Sequence, residues 1–556
     1  MGKLKSLTLP IGSSTKPKTL TQTQIDTLIK VYYDTSITDK HVSGYVYKST
    51  ITRREYYLLT QLGLTVTYKT LSNDSWTLTT NAVLLHNGES ATLSIGGALQ
   101  LKEVTMSLDT CTLGYNSGNI SAATAKSCFT LNNDVVTFRK GSVSSDFTAQ
   151  IVVKASPVWN TSDVKTVTID AASVDSVSTT YINNGSGSSR LIQEGSKALI
   201  EDYILKCKCY VFNAVGSKMA EIKSANFTGT YSGGMSSGTV TFKDGTTKTV
   251  GELNANGCNF MVLRPEMHLF SGFDVNGNEI IQNTGSYSLI AKSKIFPKKY
   301  IGMFKAYNDG GILKSQPNRV PTGSQTITTF QNQAKAGGLQ YGLWNYTDWC
   351  KENALHLSYF GNTNYETNVG IGRINNYDQV RNIVTGFTLP LAGQKKCGTA
   401  STQDSESRVV NCLNFFGIEG LGEQIWEFVI GFRHDGTTAY IWDDNYWAEN
   451  YEPDRTFPLK VTSASGSYIS QIIAGEHFDM MPKAVGASAT TGYCDGHWVS
   501  STGRLLSVGG AADYGSLCGL SASFAYFGFS LSYADIGSRL AFYGEPTEVN
   551  GADLLK

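Results

Sequence analysis

Residues 508–545 read VGGAADYGSLCGLSASFAYFGFSLSYADIGSRLAFYGE, and this stretch decides how the chain is built. It is weakly charged and crowded with Gly, Ser, Ala and aromatics, with Ile536-Gly537-Ser538-Arg539-Leu540 near its end. A helix would not tolerate so many glycines, each of which costs about 1 kcal/mol against Ala in a helix interior. A buried core would not alternate Ser with Tyr and Phe so loosely. The pattern predicts a compact, loop-rich surface held by a few strands, with aromatics turned outward as a recognition surface.

Upstream, Phe415–Phe428 reads FFGIEGLGEQIWEF. Taken with the ending, it resembles the formylglycine-generating-enzyme type of C-type-lectin-like domain. That family has a Gly-rich turn leading into a Trp-Glu pair, a later Gly-Gly turn and a terminal Gly-x-Arg. Here Gly417, Gly420, Gly422, Trp426 and Glu427 match the first, Gly509 and Gly510 the second, Gly537 and Arg539 the third. Tyr300-Ile301-Gly302 resembles the family's first core strand and Thr326–Gly338 its first helix. Trp344–Gly372, with LSYFGNTNYETNVGIG, resembles a second helix running into a loop. The resemblance spans residues 255–550 and lies nearest to receptor-binding proteins of phages and bacteria, including those diversified by retroelements.

The resemblance implies that the segment between the Gly-Gly turn and the Gly-x-Arg ending faces a ligand. The positions so designated are Asp513, Tyr514, Leu517, Phe524, Tyr526, Phe527, Leu531, Tyr533 and Asp535. Tyr493, Asp495, His497 and Trp498, in the run TGYCDGHW, are expected to form an adjacent loop of the same face. Aromatics offer large rigid area at small entropic cost, and carboxylates between them fix orientation. Phe527 and Leu531 are the members best suited to fill the core instead, alongside Phe529. Trp426, Phe428 and Ile430 alternate on a strand-like run and are expected in the core. Arg539 suits a partly buried ion pair with Glu427 as partner.

The enzymatic members of this family hold copper with a pair of cysteines near the Gly-Gly segment. After Gly509-Gly510 only Cys518 occurs, and Cys494 precedes the turn. Iron-dependent relatives need a histidine triad, yet the seven histidines are scattered, with no HxxxH spacing. A GxSxG string at Gly234–Gly238 sits in a turn between strand-like runs, where a hydrolase elbow needs a strand feeding a helix. No P-loop and no HExxH occurs. Asp443-Asp444, with Glu449, Glu452 and Asp454, has the oxygen ligands a hard cation needs, but reads better as a solvated loop. No enzyme activity, cofactor or metal is therefore expected.

The 556 residues point to several domains. Forty-six basic residues balance 46 acidic ones, which disfavours nucleic-acid binding through phosphate neutralisation. Fifty-six glycines and abundant Ser and Thr suit many turns between short strands. The ten cysteines show no pair of CxxC units and read as buried reduced thiols, with Cys207 and Cys209 on one face of a strand. The opening MGKLKSLTLPIGSSTKPKTL lacks the apolar core of a secretory signal, and no run is long enough for a membrane span.

The expected architecture is multidomain and mostly β. A small α+β module at 1–75 carries helices at Thr23–Tyr33 and Thr52–Leu62, the latter stopped by Gly63. An immunoglobulin-like β-sandwich is expected at 76–170, where alternating runs such as SWTLTTNAVLL and FTAQIVVKAS are separated by Gly/Asn/Ser turns. A second β module or linker is expected at 171–254, with an N-terminal elaboration of the following domain as the alternative; it carries a flexible NNGSGSS at 183–189 and a hairpin turn at Lys243-Asp244-Gly245. The α+β C-type-lectin-like domain then occupies 255–556. Its first helix, from Thr326 to Lys335, stops at Gly337-Gly338; its second is capped by Thr347 and turns Trp349 and Leu355 inward.

The expectation is a phage virion fibre or receptor-binding protein, a homotrimer by analogy. Its N-terminal module would join other virion proteins, and its C-terminal domain would bind a host-surface glycan or protein. A bacterial surface adhesin with the same tip is the alternative, and an oxidase of the formylglycine-generating type ranks after it.

Overall fold

The computed structural model describes residues 39–42, 45–82, 84–116, 118–173, 177–181, 191–194, 197–228, 237–273, 279–286, 294–394, 396–443, 452–502 and 505–556. Strands dominate, and the chain divides into two compact units, residues 1–174 and 175–556. The expected helix at 23–33 and the linker at 183–189 lie outside the described residues, as do Gly234 to Ser236 of the GxSxG string. Among the described residues no helix is long and apolar enough to cross a membrane.

The first unit opens with a three-stranded sheet, in which Tyr45–Thr52 pairs antiparallel with Asp39–Val42 and parallel with Thr65–Ser72. The crossover between the parallel strands is helix Arg53–Gln61. Thr52 caps it, Glu55 completes a capping box, and Gly63 comes just past its end at φ +76°, so both ends stop where the sequence predicts. Arg54 donates to both carboxylate oxygens of Glu103 (2.9 and 3.1 Å), and Tyr57 stacks on Trp159 at 4.8 Å.

Two four-stranded sheets complete this unit. One runs in the order Trp76–Thr80, Ser90–Gly97, Val135–Phe138, Phe129–Asn132. The other runs Leu84–His86, Lys165–Ala172, Phe147–Pro157, Val104–Asn116, its first pair parallel. Alternate residues of both sheets, including Leu93, Phe138, Ile151 and Ile169, bury into one shared core.

The second unit is built on one long mixed sheet. Strand Lys208–Phe212 pairs with Lys218–Thr228 on one side and Asn259–Arg264 on the other. Asn259–Arg264 pairs in turn with Lys299–Lys305, and that strand with Ile536–Phe542. The expected boundary at 254/255 therefore falls inside a continuous sheet, and residues 208–254 share their core with the C-terminal part of the chain. A shared sheet leaves no linker to separate a module. Cys207 is also displaced from its expected strand: it ends helix Ala198–Lys206, while Cys209 lies in the strand. None of the ten cysteines forms a disulfide.

Two helices flank this sheet. Ile327–Ala336 is capped by Thr326 and buries Ile327, Phe330, Gln331 and Ala334, one helical face. Tyr346–Phe360 is buried on all sides from Tyr346 to Ser358, including the inward Trp349 and Leu355. Its cap is Asn345, which forms a capping box with Asp348; Thr347 instead donates to Asp443 (2.5 Å). Asn345 has the extended backbone of the residue just before the helix, from which its side chain accepts the N–H of the third helical residue, whereas Thr347 already lies within the first turn.

Ile536–Phe542 is the junction of the sheet. It pairs antiparallel with Lys299–Lys305 and Tyr341–Leu343, and parallel with Trp426–Val429. Successive residues of a strand face opposite ways. Ile536, Leu540 and Phe542 therefore join one apolar cluster, while Arg539 points to the other side. There Arg539 Nε donates to Glu427 Oε2 (2.7 Å) and Nη2 to Oε1 (2.8 Å). Its remaining donors meet the carbonyls of Gly302, Met303 and Glu419. The expected partners are right, but the pair is wholly buried, and Lys305 joins it at 2.5 Å from Glu427.

Candidate functional site

The other face of the same strands carries the aromatic residues. Trp426 and Phe428 lie on one face of their strand, Trp498 on Gly496–Val499 and Phe524 on Ser523–Ala525. Trp498 is directly opposite Phe524 in a parallel pairing, and their rings stack at 5.5 Å. Two glycines make room for the indole: a β-carbon on Gly496 would come within 2.8 Å of Trp498, and one on Gly466 within 3.3 Å. Trp426 meets Trp498, Tyr514 and Phe524 at 5.3 to 5.4 Å, with its ring turned 57–83° from theirs.

From Phe524 the chain continues into the loop 526–535. Phe527 stacks on Phe524 at 4.8 Å, Tyr526 stands edge-on to Phe527, and Tyr533 approaches Phe527 at 5.4 Å. Backbone bonds tie the loop at three points. Leu505 N–H donates to Phe527 O (3.0 Å), Ser324 N–H to Tyr533 O (2.8 Å) and Trp426 N–H to Asp535 O (2.7 Å). Tyr526 and Tyr533 remain 45% and 49% exposed, far more than a core position allows.

Trp426, Tyr514, Phe524, Phe527, Tyr533, Asp535 and Ile536 together line an open depression of about 240 Å³. Asp535 supplies its carboxylate. Burial raises the pKa of that group, its own backbone N–H opposes the rise, and the nearby Asp513 adds to it. Burial also pushes the Tyr514 hydroxyl up to about 12, with Asp535 and Asp513 adding and the Trp426 indole opposing. The lining offers aromatic rings, one carboxylate and hydroxyls, and includes no basic side chain.

The structure brings together most of the residues expected on this face. Asp513 is exposed, and Leu517 and Leu531 are half-buried against the same cluster. Trp498 is buried as the back wall of the ring cluster. Tyr493, Asp495 and His497 are corrections: all three lie inside the domain, at most 1% exposed. Asp495 accepts the Ser521 N–H (2.7 Å), and burial raises its pKa well above the usual range. His497 precedes Trp498 on a strand, so alternation sends it to the opposite face, where Nδ1 meets Ser523 Oγ at 2.8 Å. Burial pushes its pKa down to about 3.

Trp426 and Ile536 also line the depression, although the sequence assigns Trp426 to the core. Both readings hold for Trp426: it is 1% exposed and still forms part of the wall. Its partner in register is Ile536, a pairing across more than a hundred residues that no local pattern reveals. The two other candidate centres are occupied by the protein's own groups. Cys518 is buried and donates to Ala511 O (3.0 Å), and burial raises its pKa well above that of a free thiol. Asp443 pairs with Arg455 (2.6 Å) and Lys294 (2.9 Å), which neutralise the oxygen atoms a cation would need. Asp444 and Glu449 lie outside the described residues.

No protein-family model matches this chain, and no curated protein is significantly similar to it.

Proposed function

We propose that this chain is a receptor-binding structural protein of a phage virion, a fibre whose C-terminal lectin-like domain docks on the host surface. The observation that carries this reading is the composition of the depression. Tyr514, Phe524, Phe527, Tyr533 and Asp535 of its lining are positions the family resemblance designates as ligand-facing. Half-exposed aromatics clustered round a carboxylate are the composition of a binding hot spot. The Cys518 thiol and the Asp443 carboxylate are engaged within the fold, which favours a binding role over a catalytic one.

The strand orders of the first unit support the rest of the reading. With the three-residue edge strand Leu84–His86 set aside, seven strands remain: the first, second, fifth and fourth of these form one sheet, and the third, sixth and seventh lie together in the other, the order of an immunoglobulin-type domain. Such a domain supplies reach between an attachment module and a binding tip. Trimeric display would raise the avidity of a shallow site without any new contact.

The test is adsorption of the labelled full chain to a broad panel of bacterial cells, comparing the native protein with Tyr526→Ala/Tyr533→Ala. Both side chains are half exposed, so folding should be unchanged by circular dichroism. Adsorption should fall at least about 30-fold, the equivalent of ~2 kcal/mol for an aromatic anchor. Equal adsorption of variant and native protein, or adsorption of neither to any cell, overturns the proposal.

A further inference from the structure

Resting on the binding role of this face, we propose that the depression takes a quaternary ammonium group, a trimethylammonium-type substituent on the partner surface. Three observations carry this. The first is shape. A sugar ring stacks on one flat platform; here Phe524 and Phe527 stack at 25°, but Trp426 is turned 77° from Tyr514, and Phe527 63° from Tyr533. Walls at such angles enclose a compact, rounded group, and about 240 Å³ is room for a small one.

The second is charge. Asp535 is half-buried; burial and the like charge of Asp513 disfavour its charge, and only its own backbone N–H favours it. The other titratable groups close by are the Tyr377 and Tyr514 hydroxyls, and the Arg381 guanidinium sits over the Tyr377 ring at 5.1 Å. The depression therefore holds a negative group without a cation in its lining, among ring faces that are themselves electron-rich. A neutral occupant would remove more water from Asp535 and compensate nothing. A cation compensates both.

The third is the make-up of the lining. Five of its seven residues are aromatic, and the polar side chains are one carboxylate and the hydroxyls of Tyr514 and Tyr533. A methylated ammonium presents methyl groups to ring faces and keeps its charge, whereas a primary ammonium must keep its three N–H donors hydrogen-bonded to acceptors or water.

Isothermal titration of the full chain with choline tests this, alongside n-butylammonium and 3,3-dimethylbutan-1-ol, the neutral carbon isostere of choline. Choline should bind saturably, at least about tenfold more tightly than the isostere, because shape is held constant and only the charge is removed. It should also exceed n-butylammonium. Asp535→Asn should erase most of the difference between choline and its isostere, and Phe527→Ala should weaken both. If the isostere matches choline, if butylammonium binds more tightly, or if none of the three binds, the inference is overturned. Should cell adsorption still depend on Tyr526 and Tyr533 in that case, the receptor-binding reading stands and only the ligand class falls.

Discussion

Replacing Arg539 by Met tests whether the buried ion pair holds the frame on which the aromatic face is displayed. Arg539 is fully buried and spends its donors on five acceptors: both oxygens of Glu427 and the carbonyls of Gly302, Met303 and Glu419. Removing one partner of a buried pair costs about 3–5 kcal/mol, because the other charge stays buried. Lys305 still faces Glu427 and reduces that part of the loss. The stranded carbonyls add to it, at roughly 1–3 kcal/mol for a buried group left without a donor. We therefore expect Arg539→Met to cost at least about 4 kcal/mol, a large fraction of a typical domain's 5–15 kcal/mol. Arg539→Lys keeps the charge but loses the two-pronged fork, and should fall between the variant and the native protein. The assay is urea unfolding of the full chain monitored by tryptophan fluorescence, with Lys298→Met as control. Lys298 pairs with Glu545 while both side chains are exposed (42% and 73%), so its loss should cost under about 1 kcal/mol. If Arg539→Met shifts the transition no more than Lys298→Met, the pair does not hold the frame.

Two further outcomes are expected from buried groups near the site. The folded-state pKa of His497 lies near 3, below the ordinary 6.5, so the unfolded chain binds the extra proton between those values and stability is lost as pH falls through that window. His497→Gln should flatten the acid limb of a stability-against-pH curve by up to about 1.4 kcal/mol per pH unit, and an unchanged slope would show that His497 is not buried as the neutral ring. Gly510→Ala places a β-carbon 2.6 Å from Cys518 Sγ at a φ of +104°, whereas Gly245→Ala, at φ +88°, meets nothing within 4 Å. Thermal unfolding should show the first costing at least about 2 kcal/mol and the second about 1, the backbone part alone; equal losses would refute the close approach.

What the sequence made legible was what local chemistry determines. Thr52 and Thr326 announce helix starts because their hydroxyls reach N–H groups three residues on. The Gly-Gly turn at 509–510 is legible for a steric reason: a β-carbon on Gly509 would come within 3.2 Å of the backbone of Gly422, a glycine of the upstream motif. What was not legible depended on pairings distant in the chain. The polar run TGYCDGHW looks solvated, yet Asp495 turns inward to hold the N–H of Ser521, and His497 obeys the alternation that brings Trp498 to the ring cluster. The same alternation puts Glu427 and Trp426 on opposite faces of one strand, a division visible locally, but only the pairing with Ile536 makes Trp426 a wall of the depression.

That division of faces would let one sheet serve both stability and the recognition role proposed above. On the Arg539 side the contacts are specific: a charge pair and three carbonyls that only a guanidinium meets together. On the aromatic side the loop 526–535 is tied by main-chain bonds to Phe527 O, Tyr533 O and Asp535 O. Any residue has a carbonyl, so those ties do not depend on the side chains at these positions. The inner rings Trp426, Trp498 and Phe524 are different, since each is buried and belongs to the apolar cluster beneath the face. The side chains at 526 and 533 are thus free to vary while the loop keeps its path, and those at 426, 498 and 524 are held by the fold. On the proposed reading, a surface divided in this way could change what it binds without rebuilding what it stands on.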